Sequence, residues 1–424
     1  MANTDINAPG SDGPALVAVL DRLSPVQKFR ASIAAATPEK AQASPATLGW
    51  TADYYSANTT PSANAASSSA NANYRLVGTN SSQITVIGAE FGGTELVNGG
   101  WVPKAVDVAS GGSYAHTGYA IQFLTTGRYV DVALRLYDAH YRVAVDDEYV
   151  SLTNNTPGVA ADGRYGTINL DLGSRKHSGR KIRFELGYAN RIIGFARGSQ
   201  GSLFFPAPAI GPKLVILGDS FVEGTGASLG SGGKTRNSFT WQAARRLGVE
   251  NLVVSGWGGT GFLNNGSTKK TFRQRINDIT RHNPDGVIVM GGQNDGGYAG
   301  AGLQTEVTTF FSELRAALPN AVITFMGPQY CPSPNNIGAT AYGNIKSGVQ
   351  AVPSVYHADV YDPSNLLYWM SGNTYNETGS YDGLNYWYVG SDGVHLNQNG
   401  HDFFGWRMAE AFKQAVAWHA TIQP

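Results

Sequence analysis

The chain has 424 residues, enough for roughly two or three domains that each bury a core of their own. Its 31 lysines and arginines balance 31 aspartates and glutamates, which excludes a strong attraction to nucleic acid or to an anionic membrane surface and favours a neutral partner. The single cysteine, Cys331, excludes an internal disulfide framework.

Residues 1–73 are predicted to form an arm and linker. They are rich in Ala, Ser, Asn and Thr, a composition typical of segments that bury no core. Apolar side chains between Leu16 and Leu23 follow helical spacing, which predicts one short helix that ends at Pro25. We expect this helix to pack on a neighbouring domain or on a second copy of the chain.

Residues 74–205 predict a β-sandwich. Short stretches such as YAIQFLTT and KIRFELG alternate apolar and polar side chains, and Gly, Asn or Asp separates them. Many short strands joined by turns are typical of a sandwich of the jelly-roll type. The prolines of residues 206–212 cannot enter a helix or a central strand, which predicts a linker to the next domain.

Residues 213–424 predict an α/β domain. Four continuous apolar runs (LVIL, LVVS, GVIVM and VITFM) and a weaker fifth (ADVYD) alternate with amphipathic segments. Continuous apolar strands are covered on both faces, which predicts a parallel sheet between two layers of helices. The predicted helices are SFTWQAARRLG, TFRQRINDITRHNP, EVTTFFSELRAALPN and HDFFGWRMAEAFKQAVAWHA.

Four polar motifs follow these strands or precede the last helix. Residues 218–220 (GDS) follow the first strand, residues 255–261 (SGWGGTG) the second and residues 291–295 (GGQND) the third, while residues 391–395 (SDGVH) precede the last helix. The carboxyl ends of parallel strands meet at one crevice, where ligands bind. We therefore expect the four motifs to converge.

In this order the motifs resemble the four sequence blocks of the SGNH hydrolases, also called the GDSL family. The resemblance covers about half the chain, from Lys213 to the carboxyl terminus, and implies a flavodoxin-like fold and a carboxylic ester hydrolase, an esterase or deacetylase. Phe221 stands where the family has leucine. We expect this difference to alter the packing behind the nucleophile but not the chemistry. We align Gly259 with the glycine of the second block, and Gly256 and Gly258 stay open as alternatives.

Ser220 is the candidate nucleophile. A serine hydroxyl needs a base to take its proton, and His395 is the candidate because a neutral imidazole accepts a proton near neutral pH. Asp392 precedes His395 on the same turn, where it can hold the imidazole in one tautomer and stabilise the imidazolium. Taken alone, Ser220 would more often be a helix N-cap. The other three motifs favour the nucleophile.

A tetrahedral intermediate also needs hydrogen-bond donors for its oxyanion. The backbone N–H groups of Ser220 and Gly259 and the side-chain amide of Asn294 can supply three, and a glycine lets the backbone approach the reacting carbonyl. The alternative for Asn294 is a turn residue that closes a strand. Asp295 is expected to be structural.

Asp219 and His401 are rivals for the acid and the base. Adjacent residues point in different directions, so Asp219 is expected to brace its loop by hydrogen bonds to the backbone. His401 is expected on the surface of the first turn of the last helix. No cluster has metal-ligand spacing, and the glycine-rich residues 224–233 lack the ending of a phosphate loop, so we expect no metal and no cofactor.

An aromatic stretch precedes the Asp-His motif. Trp369, Tyr386, Trp387 and Tyr388 are candidate substrate-binding residues, because aromatic faces beside amides and hydroxyls suit sugar rings. A β-excursion that buries its own aromatic rings is an equal alternative. By resemblance, the leading substrate is an O-acetyl ester on a polysaccharide or oligosaccharide, the β-sandwich is a candidate carbohydrate-binding module, and a lipase or general carboxylesterase is the alternative.

Residues 23–40 (LSPVQKFRASIAAATPEK) resemble a segment of bacteriophage tail-fibre and tailspike proteins. The resemblance implies an extracellular or virion-associated protein that leaves the cell by lysis, with a homo-oligomer or virion assembly formed through the arm. It would reconcile a polysaccharide substrate with a start that lacks the pattern of a secretion signal. It also adds a non-catalytic alternative, a receptor-binding module that uses the hydrolase fold as a scaffold. Among enzymes, the alternative is a secreted bacterial esterase whose signal was removed.

Overall fold

The computed structural model describes most of the carboxyl-terminal half of the chain and the regular elements of the amino-terminal half. The described residues are 22–43, 46–53, 74–76, 84–88, 96–97, 100–101, 118–136, 140–152, 164–172, 179–187, 191–197, 204–227, 237–298, 300–329, 337–360, 369 and 387–422. Cys331 and Tyr386 lie outside these ranges.

Thirteen described strands of the amino-terminal half form two antiparallel sheets. Their bounds are β1 Thr47–Asp53, β2 Tyr74–Leu76, β3 Thr85–Ile87, β4 Leu96–Val97, β5 Gly100–Trp101, β6 Tyr119–Thr125, β7 Tyr129–Leu136, β8 Tyr141–Val145, β9 Glu148–Tyr149, β10 Arg164–Asp171, β11 Arg180–Leu186, β12 Arg191–Arg197 and β13 Phe204–Pro206. One sheet has the order β1-β10-β7-β12-β5-β4 with β2 on β12, and the other has the order β13-β6-β11-β8-β9 with β3 on β6.

The predicted β-sandwich is confirmed, and its core follows the period of two. Val130, Val132 and Leu134 of β7 are fully buried, and Phe123 stacks on Phe184 with ring centroids 6.3 Å apart. The strand β1 differs from the prediction. It lies within the predicted arm, yet it pairs along its whole length with β10 of the sandwich. The jelly-roll connectivity and the domain boundaries stay predictions.

The carboxyl-terminal half contains a five-stranded parallel sheet. Its order, β15-β14-β16-β17-β18, is that of flavodoxin-like folds and confirms the predicted fold class. Four of the five predicted strands are present, and the fifth strand, β18, begins two residues before its predicted segment (residues 358–362) and shares only Ala358 with it. The bounds are β14 Lys213–Gly218, β15 Asn251–Gly256, β16 Gly286–Met290, β17 Val322–Met326 and β18 Tyr356–Ala358.

The described helices cover both faces of this sheet. Residues 271–284, predicted as one helix, contain only a 3₁₀ turn at Arg273–Arg275 and a short helix, Asn277–Thr280. The helix Ala339–Gln350 was not predicted, because Gly343 and Gly348 interrupt its pattern. The bounds are α1 Pro25–Ala35, α2 Ser220–Glu223, α3 Phe239–Arg246, α4 Asn277–Thr280, α5 Ala301–Ala317, α6 Ala339–Gln350 and α7 Gln398–Ile422.

Two separate apolar cores explain the continuous apolar strands. In β14, Leu214 and Ile216 face one core together with residues of α1, α3 and α7. Val215 and Leu217 face the other core together with residues of α5 and α6. Because both faces of these strands meet a layer of helices, the apolar side chains of β14 are buried on either side of the sheet.

The amino-terminal helix α1 begins at Pro25, since the first helical position needs no N–H donor. The helix predicted between Leu16 and Leu23 lies mostly outside the described residues. Ser24 and Gln27 form a capping box in front of it. Phe29 then packs edge-on against Phe412 of α7 with ring centroids 4.9 Å apart, so this segment packs on the α/β half of its own chain.

A buried ion cluster joins the sandwich to the α/β half. Glu185 of β11 accepts hydrogen bonds from Arg142 at 2.7 Å and from Arg245 of α3 at 3.4 Å. Burial raises the pKa of Glu185, but the guanidinium groups of Arg142, Arg245 and Arg183 outweigh that effect and hold the pKa far below its ordinary value. The carboxylate is therefore charged, and it ties the two halves together.

Candidate active site

The predicted site residues meet at the carboxyl edge of the parallel sheet. Ser220 follows β14, Gly259 follows β15, Asn294 follows β16, and His395 lies in the turn before α7. The sheet order places β14 between β15 and β16, so the serine lies between the loops that carry Gly259 and Asn294. The predicted convergence of the four motifs is present in this geometry.

Ser220, His395 and Asp392 form a continuous hydrogen-bonded chain. The Nε2 atom of His395 lies 2.8 Å from the Oγ atom of Ser220, and its Nδ1 atom lies 2.6 Å from Oδ2 of Asp392. A carboxylate only accepts, so Nδ1 carries the proton and Nε2 is left to accept the serine hydroxyl. This is the arrangement that activates a serine for attack.

The turn that carries His395 is built around the carboxylate of Asp392. Oδ1 of Asp392 accepts the backbone N–H groups of Val394 and His395, each at 3.0 Å. Burial raises the pKa of Asp392, but the hydrogen bond from the His395 ring and these two N–H groups outweigh it and hold the pKa below its ordinary value. Asp392 therefore remains a charged acceptor that orients the imidazole.

Asp219, and not Ser220, caps the short helix α2. Oδ1 of Asp219 accepts the N–H of Phe221 at 3.0 Å, so Ser220 keeps its hydroxyl for His395. Phe221, the departure from the family pattern, packs its ring against that of His395 with centroids 5.6 Å apart. The aromatic side chain thus supports the base from behind.

Asp219 is an unusual carboxyl group because only one of its oxygens is bonded. It is fully buried, and its Oδ2 atom has no hydrogen-bond partner among the described residues. Burial raises the pKa of Asp219 to about 7, although the N–H of Phe221 and the charge of Arg275 act against that rise. The site therefore contains a carboxyl that titrates near neutral pH without belonging to the Ser-His-Asp chain.

Hydrogen bonds distinguish the glycines that the sequence left open. Gly256 is buried against the backbone of Glu223, where an added Cβ would lie 2.2 Å from the nitrogen of Glu223. Gly258 donates its N–H to Oε2 of Glu223 at 2.6 Å. Gly259 has a φ of +75°, and among the residues that the structure describes no acceptor is bonded to its N–H. Gly259 thus keeps a donor in the loop after β15 that no described group occupies.

Asn294 lies in a 3₁₀ turn that is held to the glycine loop. Its side-chain amide donates to the carbonyl of Thr260 at 2.9 Å, and its own carbonyl accepts from the Asn264 side chain at 2.8 Å. Asp295 accepts three backbone N–H groups of residues 262–264 at 2.8 to 2.9 Å. The carboxylate of Asp295 thus has a structural role, as expected, because it bonds the loop after β16 to the loop after β15.

Arg275 is a residue that sequence reasoning missed. Its guanidinium is fully buried and donates to the carbonyl of Gly218 at 3.2 Å, to Oγ1 of Thr260 at 3.1 Å and to Oγ of Ser255 at 2.8 Å. These contacts tie the strand end before Ser220 to β15 and to the loop after it, which carries Gly259. A basic residue in a helical segment carries no sequence signal for such a role.

His401 is corrected by the structure. The prediction placed it on the surface, but it is fully buried, stacks on Phe239 with ring centroids 5.6 Å apart, and lies 3.1 Å from the carbonyl of Thr225. A helix that covers a sheet buries one side of its first turn as well. His401 is a packed core residue and no rival to His395.

The aromatic candidates separate by exposure. Trp369 is only 4% exposed and packs edge-on against Phe404, so it presents no face to a sugar. Tyr388 stacks on Phe403 with ring centroids 4.7 Å apart. Trp387 is 60% exposed and lies in the segment that leads to Asp392. Of the described candidates, Trp387 is the most exposed to solvent.

Among the described residues no group of three or more His, Cys, Asp or Glu side chains is placed to hold a metal ion. The described helices also include none that is long and apolar enough to span a membrane.

The parallel sheet with this polar site at its carboxyl edge defines a hydrolase domain of the SGNH type. Residues 216–403 match the family model of the GDSL-like lipase/acylhydrolase family, a range that includes all four motifs. The α/β domain therefore belongs to this family and is a carboxylic ester hydrolase domain. A comparison with curated protein sequences found no match.

Solved structures with a similar fold cover most of the chain at low identity. A family two carbohydrate esterase from Cellvibrio japonicus is 14% identical with a TM-score of 0.54, over 82% of this chain and 99% of that one. An acetyl xylan esterase from Butyrivibrio proteoclasticus is 13% identical with a TM-score of 0.52, over 82% and 100%. A salicylyl-acyltransferase from a tetracycline biosynthetic pathway is 15% identical with a TM-score of 0.55, over 81% and 97%. These similarities extend through both halves of the described fold.

Proposed function

We propose that this protein is a serine esterase that removes O-acetyl groups from a carbohydrate polymer. Ser220 is the nucleophile, His395 the base, and Asp392 the residue that orients and stabilises the base. The N–H groups of Ser220 and Gly259 and the amide of Asn294 bind the oxyanion. The observation that carries the proposal is the Ser-His-Asp chain, with contacts of 2.8 and 2.6 Å.

The reaction proceeds in two halves. Oγ of Ser220 attacks the acetyl carbonyl carbon while its proton passes to Nε2 of His395, which gives a tetrahedral oxyanion. The intermediate collapses, the C–O bond to the sugar breaks, and the sugar oxygen takes the proton from the imidazolium. Water, deprotonated by His395, then attacks the acetyl-serine, and acetate leaves as the hydroxyl of Ser220 is restored.

Two observations support a carbohydrate substrate. The sequence is neutral overall, as suits an uncharged polymer, and Trp387 presents an exposed indole close to the catalytic turn. The similar folds include proteins described as carbohydrate esterases, one of them from Clostridium thermocellum in complex with cellohexaose. Another similar fold is described as an acetyl xylan esterase, which supports acetyl as the group that is removed.

Acetate release from a panel of acetylated polysaccharides tests this proposal, with 4-nitrophenyl acetate as a small ester. We expect Ser220→Ala to abolish both activities and Ser312→Ala, which removes an exposed hydroxyl on α5, to leave both unchanged. Activity that persists in Ser220→Ala would overturn the nucleophile. Hydrolysis of the small ester with no acetate from any polysaccharide would leave a general carboxylesterase, and no hydrolysis at all would leave a receptor-binding scaffold.

We also propose that the enzyme acts outside the cell, because a polysaccharide does not enter the cell. We propose further that a virion carries the enzyme. Residues 25–35, within the segment that resembles tail proteins, pack on the α/β domain of their own chain. Mass spectrometry of purified particles and of cell-free medium tests this location.

A further inference from the structure

The loop after β15 contains a lysine directed at the backbone of the oxyanion site. The ammonium group of Lys269 donates to the carbonyl oxygen of Gly258. That carbonyl and the N–H of Gly259 belong to the same peptide group. We propose that Lys269 is a positioning residue that orients and polarises this peptide, so that the Gly259 N–H binds the oxyanion more strongly; this inference rests on the proposed function of Gly259.

The fold of the loop brings Lys269 back to Gly258. Thr260 and Asn265 form an isolated β-bridge, and the N–H of Gly261 donates to the carbonyl of Asn264 at 2.8 Å. The N–H of Lys269 donates to the carbonyl of Asn265 at 2.7 Å. The side chain then passes over Trp257, with Nζ 5.7 Å from the ring centroid. The loop therefore fixes the backbone of Lys269, and the Gly258 carbonyl and the Trp257 ring position its ammonium.

A carboxylate holds the other side of the same residue. The N–H of Gly258 donates to Oε2 of Glu223 at 2.6 Å, and Glu223 lies one helical turn after Ser220 in α2. Gly258 thus has an anion on its N–H and a cation on its carbonyl. Each contact is a charge-assisted hydrogen bond, the stronger kind. Together they prevent the peptide between Gly258 and Gly259 from turning its N–H away.

The two glycines fit this arrangement. An added Cβ at Gly258 would lie 2.7 Å from Oε2 of Glu223 and 3.4 Å from Cβ of Ser220, so a larger residue would displace the carboxylate beside the nucleophile. At Gly259 an added Cβ would lie 4.0 Å from Nζ of Lys269, which places the ammonium close to the proposed donor. A positive charge beside the position where negative charge develops also stabilises the transition state directly.

Kinetics of Lys269→Met, Lys269→Arg and a matched control test the inference. We expect Lys269→Met to lower kcat about 10–100-fold on 4-nitrophenyl acetate and on the polymer, a smaller loss than the roughly 10²–10³ for removal of a whole donor, with KM changed less than about threefold. Lys269→Arg keeps a cationic donor and should recover most of that loss. Lys413→Met breaks a half-buried pair with Glu410 on α7 and should match the wild type.

The affinity for phenylboronic acid supplies a readout that a structural role would not move. Its tetrahedral adduct with Ser220 carries an oxyanion-like oxygen, so its inhibition constant should rise in Lys269→Met by about the same factor as kcat falls. Titration with a fluorophosphonate counts the folded active sites. Unchanged kcat and boronate affinity in Lys269→Met would overturn the inference, and so would a rise in KM alone. The proposed function is tested separately by the loss of activity in Ser220→Ala, and neither of these results would change that outcome.

Discussion

Replacing Asp219 by asparagine should make the stability of the protein less dependent on pH. The carboxyl group is fully buried with one oxygen unpartnered, and its pKa is raised from 3.8 to about 7, mainly by that burial. Asp295 and Glu223 raise this pKa further, while the N–H of Phe221 and the charge of Arg275 lower it. An asparagine can accept the same N–H without ever acquiring a charge.

The size of the effect follows from proton linkage. Between about pH 4 and pH 7 the folded state holds the proton on Asp219 and the unfolded state does not, so the free energy of unfolding falls as the pH rises. Each pH unit in that window corresponds to about 1.4 kcal/mol. Between about pH 5 and pH 8 the wild type should therefore lose about 3 kcal/mol through this group, whereas Asp219→Asn loses none of it.

Urea unfolding of the wild type and Asp219→Asn at four pH values between about 5 and 8 measures this difference. The advantage of the variant should grow with pH by about 3 kcal/mol and level off above about pH 7. Asp219→Ser, a second cap without an ionisable group, should show the same growth from a lower starting stability. Two stability curves that stay parallel over this range would refute the reasoning, because Asp219 would then have the same charge in both states.

Three further outcomes follow from the site. Asn294→Ala should lower kcat by about 10²–10³, the range for one oxyanion donor, and a loss below tenfold in steady-state assays would contradict that role. Asp392→Asn should lower kcat by about 10⁴, because an amide in place of the carboxylate favours the wrong tautomer of His395, and similar turnover in the two proteins would remove Asp392 from the triad. Trp387→Ala should depress acetate release from the polymer much more than hydrolysis of 4-nitrophenyl acetate. Trp369→Ala should instead lower the free energy of unfolding by about 3–5 kcal/mol. Thermal melts of both variants, measured alongside both activity assays, separate the two effects.

Local patterns in the sequence determined much of the fold. The continuous apolar runs predicted the parallel strands, and four of the five agree with β14 to β17 within about one residue. The period of two predicted the main sandwich strands. Three motifs at strand ends and a fourth before the last helix predicted Ser220, Asn294, Asp392 and His395 as site residues, since a parallel sheet brings its carboxyl ends to one crevice whatever the details of packing. These features depend on short stretches of chain that carry their own signal.

The tertiary structure alone decided which polar and aromatic side chains serve the site and which serve the core. Trp369 and Trp387 lie in one aromatic stretch, yet only Trp387 is largely exposed. Arg275 and Lys269 reach backbone carbonyls of residues far from them in sequence, and no pattern of apolar spacing marks such a contact. A side chain's role is set by the groups that the folded chain places around it, and most of those groups come from other segments.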